Sequence, residues 1–322
     1  MASSSEGREL IAGPDDAGRR LDRVLRSILG ELPLSAIYGA MRRGRIKVNG
    51  GKASPELRLS EGDRIFLAPP LGPLARGSAA GTGEPNVEGL DSISDILVLA
   101  TRDLLFINKP RGLLAQGDEE IEGRIRRALA GRSAGSLSFS PGPLHRLDRN
   151  TTGLMTFPRS AAGAREFSEL LRRRALEKEY LALVDGEAEA TQEWRDRIAR
   201  DGDSLRSSVV ADGEEASASM RPLASAGGRS LVLVELHTGL THQIRVQASS
   251  RGMPLSGDSK YGGSPLGGGY ILHAFSLGFP EPPFPDLPRR VIAPLPERSR
   301  ERLAALFGDS VLKGAIEGID KG

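Results

Sequence analysis

The stretch LGPLARGSAAGTGEPNVEGLD, residues 71–91, cannot lie in a packed core. It is rich in Gly, Pro, Ala and Ser and has neither a helical nor a strand period, so it reads as a flexible tether. The chain is thereby divided into a small domain over residues 18–70 and a larger one over residues 92–308, long enough to bury a core of its own. Residues 1–17 read as a flexible N-terminus and residues 309–322 as a loose C-terminal tail. The 44 basic and 42 acidic residues nearly cancel, to a net charge of +2, so a surface for a charged polymer has to be local. The absence of cysteine rules out disulfides and thiolate metal sites and fits a reducing compartment. No apolar run approaches bilayer length, and MASSSEGREL lacks a hydrophobic signal core. A cytoplasmic protein with no membrane partner is the expectation.

Charge is concentrated near the N-terminus. From Arg19 to Lys47 there are eight basic residues (Arg19, Arg20, Arg23, Arg26, Arg42, Arg43, Arg45 and Lys47) against Asp22 and Glu31. Leu21, Val24, Leu25 and Ile28 recur at helical spacing, which places Arg19, Arg23 and Arg26 largely on the opposite face. Pro33 ends that helix, and Ser35 suits the N-cap of a second one running through Met41 and Arg42. Arg45 to Val48 then reads as a strand entering a tight Asn49-Gly50 turn, with a further strand at Arg64 to Ala68. Such a helix pair suits phosphates, whose contacts supply affinity with little sequence information.

In the larger domain, Ile96–Ala100 and Leu104–Asn108 read as a hairpin. Glu119–Ala130 and Arg159–Arg174 read as helices, and Tyr180–Val184, Ser217–Leu223 and Ser230–Leu236 as strands. Strands outnumber helices without strict βαβ alternation, which points to α+β with a largely antiparallel sheet. Within it, LHRLDRNTTGLM at Leu144–Met155 places one carboxylate, Asp148, between Arg146 and Arg149, just before an apolar run. Two cations flanking a lone acid suit an anionic ligand handled around one reactive carboxylate.

HRLDRNTTGL resembles the HRLDxxTSGL signature of RluA-type pseudouridine synthases, which modify ribosomal and transfer RNA. Three further segments are similar to that family in the same order: LEKEYLALV at Leu176–Val184, HTGLTHQIRV at His237–Val246 and MPLSGDSKYG at Met253–Gly262. The similarity extends to FINKPRGLL at Phe106–Leu114 and LHAFSLGF at Leu272–Phe279. Gly18 to Ile65 resembles the S4-type RNA-binding domain, and PLSAIYGAMRRGRIKVNG is nearest to the branch acting on large-subunit ribosomal RNA.

The resemblance implies a mixed-sheet catalytic domain and an RNA substrate, ribosomal in preference to transfer RNA. It makes Asp148 the catalytic carboxylate, attacking or stabilising C1′ or acting as a base towards the sugar. Arg245 becomes its ionic partner, since an adjacent cation favours the ionised carboxylate. Thr241 as N-cap and Gly252 as stop would put Arg245 in the first turn of a helix, where the dipole disfavours a cation by about 0.3–1 kcal/mol. Tyr180 would stack on the target base, and Lys178, two residues before it, would share its face of the strand. Arg146 would insert where the base is flipped out, with His145, Thr151 and His242 around it. Arg19, Arg20, Arg23, Arg42, Arg43, Arg45 and Lys47 would carry the S4-type contacts.

The isomerisation adds and removes nothing, so no cofactor or metal is expected, and four histidines without acid-rich spacing make no metal site. A monomer is expected. The chain departs from the family pattern at Leu240, where an arginine is usual, and at Thr152, where serine is usual. Two other readings compete: an RNA-binding or ribosome-assembly protein without catalysis, and a glycosidase. A glycosidase wants a second acid, and Asp258, preceding KYG, reads more readily as a turn.

Overall fold

The structure is a computed structural model, and it describes residues 7–30, 32–74, 90–117, 119–129, 136–137, 139, 141–202 and 206–320. The predicted features at residues 1–6, at 75–89 of the tether, at Ala130 and at 321–322 lie outside the described residues. The chain forms two compact units, one of residues 1–105, 116–144 and 157–167, the other of residues 106–115, 145–156 and 168–322.

The first unit is built on β1 (Arg8–Ile11), α1 (Leu21–Ile28), α2 (Leu34–Arg42), β2 (Ile46–Val48), β3 (Gly51–Lys52), β4 (Arg64–Leu67) and α3 (Leu71–Leu74). Its antiparallel sheet runs β1-β4-β2-β3. The apolar stripe of α1 is buried and Arg23 and Arg26 are exposed, as the helical spacing requires. The β2–β3 turn has positive φ at both Asn49 (51°) and Gly50 (75°), the geometry that an Asn-Gly hairpin supplies at low cost. Ser35 does not cap α2; the helix starts two residues earlier than that cap would set, at Leu34 after Pro33, with no side-chain cap.

The expectation of a flexible residue 1–17 segment is corrected over its described part. Arg8–Ile11 adds an edge strand to β4, and Leu10 and Ala12 join the small core. Asp16 is fully buried, accepting from the Gly13 N–H at 3.1 Å, Ser136 Oγ at 2.9 Å and the Leu137 N–H at 2.7 Å. Three donors on one carboxylate satisfy the charge that burial would otherwise penalise. At the start of the tether, Leu71 belongs to the same core. The unit also carries β5 (Leu97–Ala100), α4 (Ile121–Ala128) and the first half of α5 (Ala161–Arg172).

The second unit holds most of β6 (Leu104–Lys109) and β7 (Thr152–Pro158), then β8 (Glu177–Asp185), β9 (Gln192–Arg200), β10 (Ser207–Val209), β11 (Glu214–Ala226), β12 (Arg229–Leu236), α6 (Gln243–Ser250), β13 (Leu272–Gly278), β14 (Arg290–Ile292), α7 (Glu297–Phe307) and α8 (Asp309–Asp320). The sheet order is β10-β9-β11-β12-β8-β13-β7-β6, with β14 off β13. β13 and β7 are parallel; the pairs from β10 through to β13 are antiparallel, so the sheet is mixed and largely antiparallel. Leu181 and Leu183 of β8 pack with Leu231, Leu233, Phe275, Leu303 and Phe307, whereas Ala182 and Val184 pack with Val234, Ile244 and Leu272. Both faces are covered, which explains the unbroken apolar run YLALV.

The loose tail is a second correction. Asp309–Asp320 forms α8, whose Leu312 and Ile319 are buried against Leu303 and Phe307, and Arg290 Nη1 donates to the Ile319 carbonyl at 2.9 Å. Leu312, Ile316 and Ile319 recur at i, i+4 and i+7, so helical spacing was present beneath the glycines.

Candidate active site

Asp148 sits in the loop that enters β7, in a turn closed by the Thr151 N–H on the Asp148 carbonyl at 3.1 Å. The loop is pinned from below by a fully buried lysine. Lys109 Nζ donates to the carbonyls of Pro110, Leu113 and Arg149, at 2.9, 2.9 and 3.1 Å. Arg111 Nη1 donates to the Asn150 carbonyl at 3.2 Å and the Tyr270 carbonyl at 2.7 Å. Just past the loop, Gly153 has φ +110°, and a Cβ there would lie 2.2 Å from the Ala274 carbonyl oxygen of β13. The glycine of the HRLDRNTTG segment is therefore required by a backbone approach.

The partner of Asp148 comes from α6. Arg245 is the third residue of that helix and is buried. His242 occupies the N-cap at φ +60°, and the N-cap expected of Thr241 is not made. The helix start is instead fixed by Gln243, whose Oε1 accepts from Thr238 Oγ1 (2.8 Å) and the Leu240 N–H (3.1 Å), while its Nε2 donates to the Ser217 carbonyl.

Arg245 joins two carboxylates. Nη1 donates to Asp148 Oδ2 at 3.3 Å, and Nε and Nη2 grip Asp258 Oδ2 and Oδ1 at 2.6 and 2.9 Å. Its guanidinium carbon also lies 4.8 Å from the ring centres of both Tyr261 and Tyr270. Burial works against the charge, but the Asp258 hydrogen bond and the fields of Tyr270, Asp258 and Asp148 hold this guanidinium above its ordinary range. The helix-dipole penalty predicted for Arg245 is thus met by a bidentate pair as well as by Asp148.

Asp258, which the sequence marks as a turn residue, also reaches the site through Arg245. It does form the predicted turn, accepting the N–H groups of Tyr261 and Gly263 on its carbonyl, and its carboxylate is also the stronger of the two partners of Arg245. It is 2% exposed and absent from the cavity lining, so it is not placed as the second acid of a glycosidase. The GD of GDSKYG and the two later tyrosines were the available signals.

A cavity of about 70 Å³ lies at Asp148, lined by Arg146, Leu147, Thr151, Tyr180, Leu236, Leu240, His242 and Arg245 among others. Tyr180 projects into it from β8, its phenol pushed up by burial and then by Asp148. Thr151 Oγ1 is buried there without a well-formed hydrogen bond. Arg146 lines the mouth, exposed, with no ion pair among the described residues. Leu240 packs on Ile198, Ala216, Val246 and Tyr261, which gives the departure from arginine an apolar role.

The other predicted residues divide. His242 Nε2 lies 3.7 Å from Asp148 Oδ2, and its Nδ1 is hydrogen-bonded to Tyr261 Oη at 2.8 Å. Burial lowers its basicity, opposed by Asp148 and reinforced by Arg245 and Lys260. Lys178 is off the cavity wall, with Nζ donating to the Thr238 carbonyl at 3.3 Å, and burial and Arg174 pull its basicity down. His145 is turned into the protein, its Nε2 accepting from the Thr156 N–H at 3.1 Å, and burial followed by Lys178 pushes it down to about 4. A neutral, engaged imidazole is a loop anchor, and the structure does not bring it to the cavity.

In the first unit, Arg23, Arg42, Arg43, Arg45 and Lys47 are exposed and Arg19 is half-buried. Arg20 is already occupied: its Nε and Nη2 donate to Asp22 Oδ1 and Oδ2 at 3.1 and 2.7 Å, with Tyr38 Oη on the same carboxylate. The Arg20 hydrogen bond, working against burial, holds Asp22 below its ordinary range. Arg20 therefore braces the domain.

Residues 103–250 match the family described as RNA pseudouridylate synthase, and residues 19–65 match the S4 domain. The chain is 28% identical to the ribosomal large subunit pseudouridine synthase C of Salmonella typhi, over 95% of this chain and 99% of the relative. It is 29% identical to the protein of that name from Haemophilus influenzae, over 87% of this chain and 89% of the relative. Among solved structures, human RNA pseudouridylate synthase domain containing 4 shares the fold, with a TM-score of 0.55 at 24% identity, covering 66% of this chain and 94% of that one. A match to the S4 domain and a match to the RNA pseudouridylate synthase family thus lie in one chain, in that order.

Proposed function

We propose that this isomerase converts uridine to pseudouridine in large-subunit ribosomal RNA, with Asp148 as its catalytic carboxylate. The observation that carries the reading is the placement of Asp148 and Tyr180 in one cavity, with the buried Arg245 donating to the Asp148 carboxylate. The ribosomal target is supported by the names of relatives that align over most of both chains.

In the reaction the C1′–N1 bond of uridine breaks, the freed uracil turns, and C5 bonds to C1′. The C5 proton then leaves and N1 takes one up, so atoms balance without an oxidant or a further reactant. Asp148 meets the electron-poor C1′, by bonding to it or by taking a sugar proton. Arg245 aims that carboxylate with a single N–H, since its other donors hold Asp258. The Tyr180 ring gives the unstacked base a face, worth roughly 1–3 kcal/mol per stacked base. Arg146, exposed at the mouth, is free to fill the place the base leaves. The exposed cations of the S4 domain hold phosphates and add affinity that falls with salt.

The test follows tritium at uracil C5, which is released to water when pseudouridine forms. Purified wild-type protein should release it from unmodified large-subunit ribosomal RNA transcribed in vitro, and Asp148→Asn should not. Release from transfer RNA alone would move the target, and equal release by the variant would remove Asp148 from the chemistry.

A further inference from the structure

A second cavity, of about 760 Å³, lies on the second unit, lined by Arg174, Glu193, Arg195, Asp196, Arg197, Glu215, Ser217, His237 and Thr238 among others. Most of its charges are spoken for. Arg197 Nη2 donates to Glu215 at 3.2 Å, and Asp196 accepts from Arg251 at 2.9 Å and from Gln247 at 2.7 Å. Arg174 and Arg195 have no acid partner among the described residues, and of the acids in the lining Glu193 alone has no ion pair among them.

Arg174 is held against its own backbone preference. It has φ +56° and ends α5 with its N–H on the Leu171 carbonyl (3.1 Å) and the next N–H, of Ala175, on the Leu170 carbonyl (2.9 Å). This is the helix-ending turn in which glycine sits without strain, and an arginine there carries a cost. Its neighbour Arg172 is paired with Glu169, which leaves Arg174 the unpaired cation of this helix end. Strain at a residue whose side chain has no structural partner points to use by a ligand.

The cavity adjoins the catalytic one through a short turn. His237 and Thr238 line the larger cavity, Leu236 and Leu240 line the smaller, and Lys178 donates to the Thr238 carbonyl between them. Resting on the RNA reading above, we propose that this groove receives the backbone of the substrate RNA next to the target uridine, with Arg174 and Arg195 on its phosphates.

Arg174→Gly is the informative variant, because it relieves the backbone while removing the cation. Its melting temperature should be equal to or above that of wild type. Its kcat for tritium release should be unchanged, and its KM and filter-binding Kd for large-subunit ribosomal RNA raised about 3- to 10-fold. The slope of log K against log salt should be shallower by about 0.9, one phosphate contact. Arg195→Ala should act in the same direction and add to it. Unchanged KM, Kd and salt slope in both variants would overturn the groove while leaving a working synthase. If wild type binds this RNA but releases no tritium and Arg174→Gly weakens the binding, the groove stands and the ribosomal-uridine reading falls. No binding by wild type would overturn the groove as well.

Discussion

Arg245 is the residue on which the site turns, and its hydrogen bonds are divided unequally. Three of its nitrogens are used, two on Asp258 at 2.6 and 2.9 Å and one on Asp148 at 3.3 Å. Asp258 thus carries much of the burden of neutralising a buried cation, and Asp148 is left to accept one N–H and face the cavity. Asp258→Asn should leave Arg245 buried with a poorer partner and lower the unfolding free energy by about 3 kcal/mol, read from urea denaturation. Stability within a few tenths of a kcal/mol of wild type would contradict the assigned strength of that pair. At this scale the sequence was informative where a side chain meets solvent or substrate. Asp148, Tyr180, Arg146 and Arg245 were placed by motif, and the structure gathers them round one cavity. It was less informative where a polar side chain serves another side chain. Asp258 and Lys109 do their work buried, through partners 13 and up to 40 residues away, and local spacing does not encode such pairs.

Among the elements, the β7–β13 pair decides where the Asp148 loop lands. His273 pairs with Thr152 and Ala274 with Gly153 in parallel register, and the approach at Gly153 leaves no space for a Cβ. Gly153→Ala should therefore part these strands, costing at least about 2 kcal/mol in a thermal or urea melt and disturbing the loop five residues upstream. Wild-type stability in that variant would show that the approach is not needed. The elements read correctly from sequence are those with a clear period or turn: α1, the Asn49-Gly50 hairpin, β8 and β12. β9 was not read because its residues, QEWRDRIAR, are mostly charged; only Trp194 and Ile198 point firmly inward. Residues 309–322 read as a loose tail, but Asp309–Asp320 is helical because packing on α7 and on the sheet overrides the low propensity of its glycines.

For the whole molecule, buried imidazoles set an acid limit well above the usual carboxylate range. His273 is fully buried, with Nδ1 bonded to Thr152 Oγ1 at 2.8 Å and Nε2 to the Ala293 carbonyl at 3.0 Å, and burial pushes it from 6.5 to about 4. The unfolded chain takes up this proton near pH 6.5, where the folded chain refuses it. Stability is therefore complete above about pH 6.5 and is lost as the pH falls towards 4. His273 alone should lower the free energy of urea unfolding by about 2 kcal/mol between pH 7 and pH 5, and a flat profile over that range would contradict the burial. No described helix is long and apolar enough to cross a membrane. The two compact units do not divide at the tether: residues 71–91 fall inside the first unit, which also takes in residues 116–144 and 157–167. Residues 136–137 belong with Asp16 through hydrogen bonds that span 120 residues, a pairing that composition does not reveal.

The central claim, that Asp148 acts on a ribosomal uridine, is tested most directly by mapping pseudouridines in ribosomal and transfer RNA from cells lacking this gene, complemented with either wild type or Asp148→Asn. At least one uridine of large-subunit ribosomal RNA should lose its modification on deletion and regain it only with the wild-type gene. Regain with the Asp148→Asn gene would contradict the mechanism, and an unchanged map in the deleted cells would contradict the function.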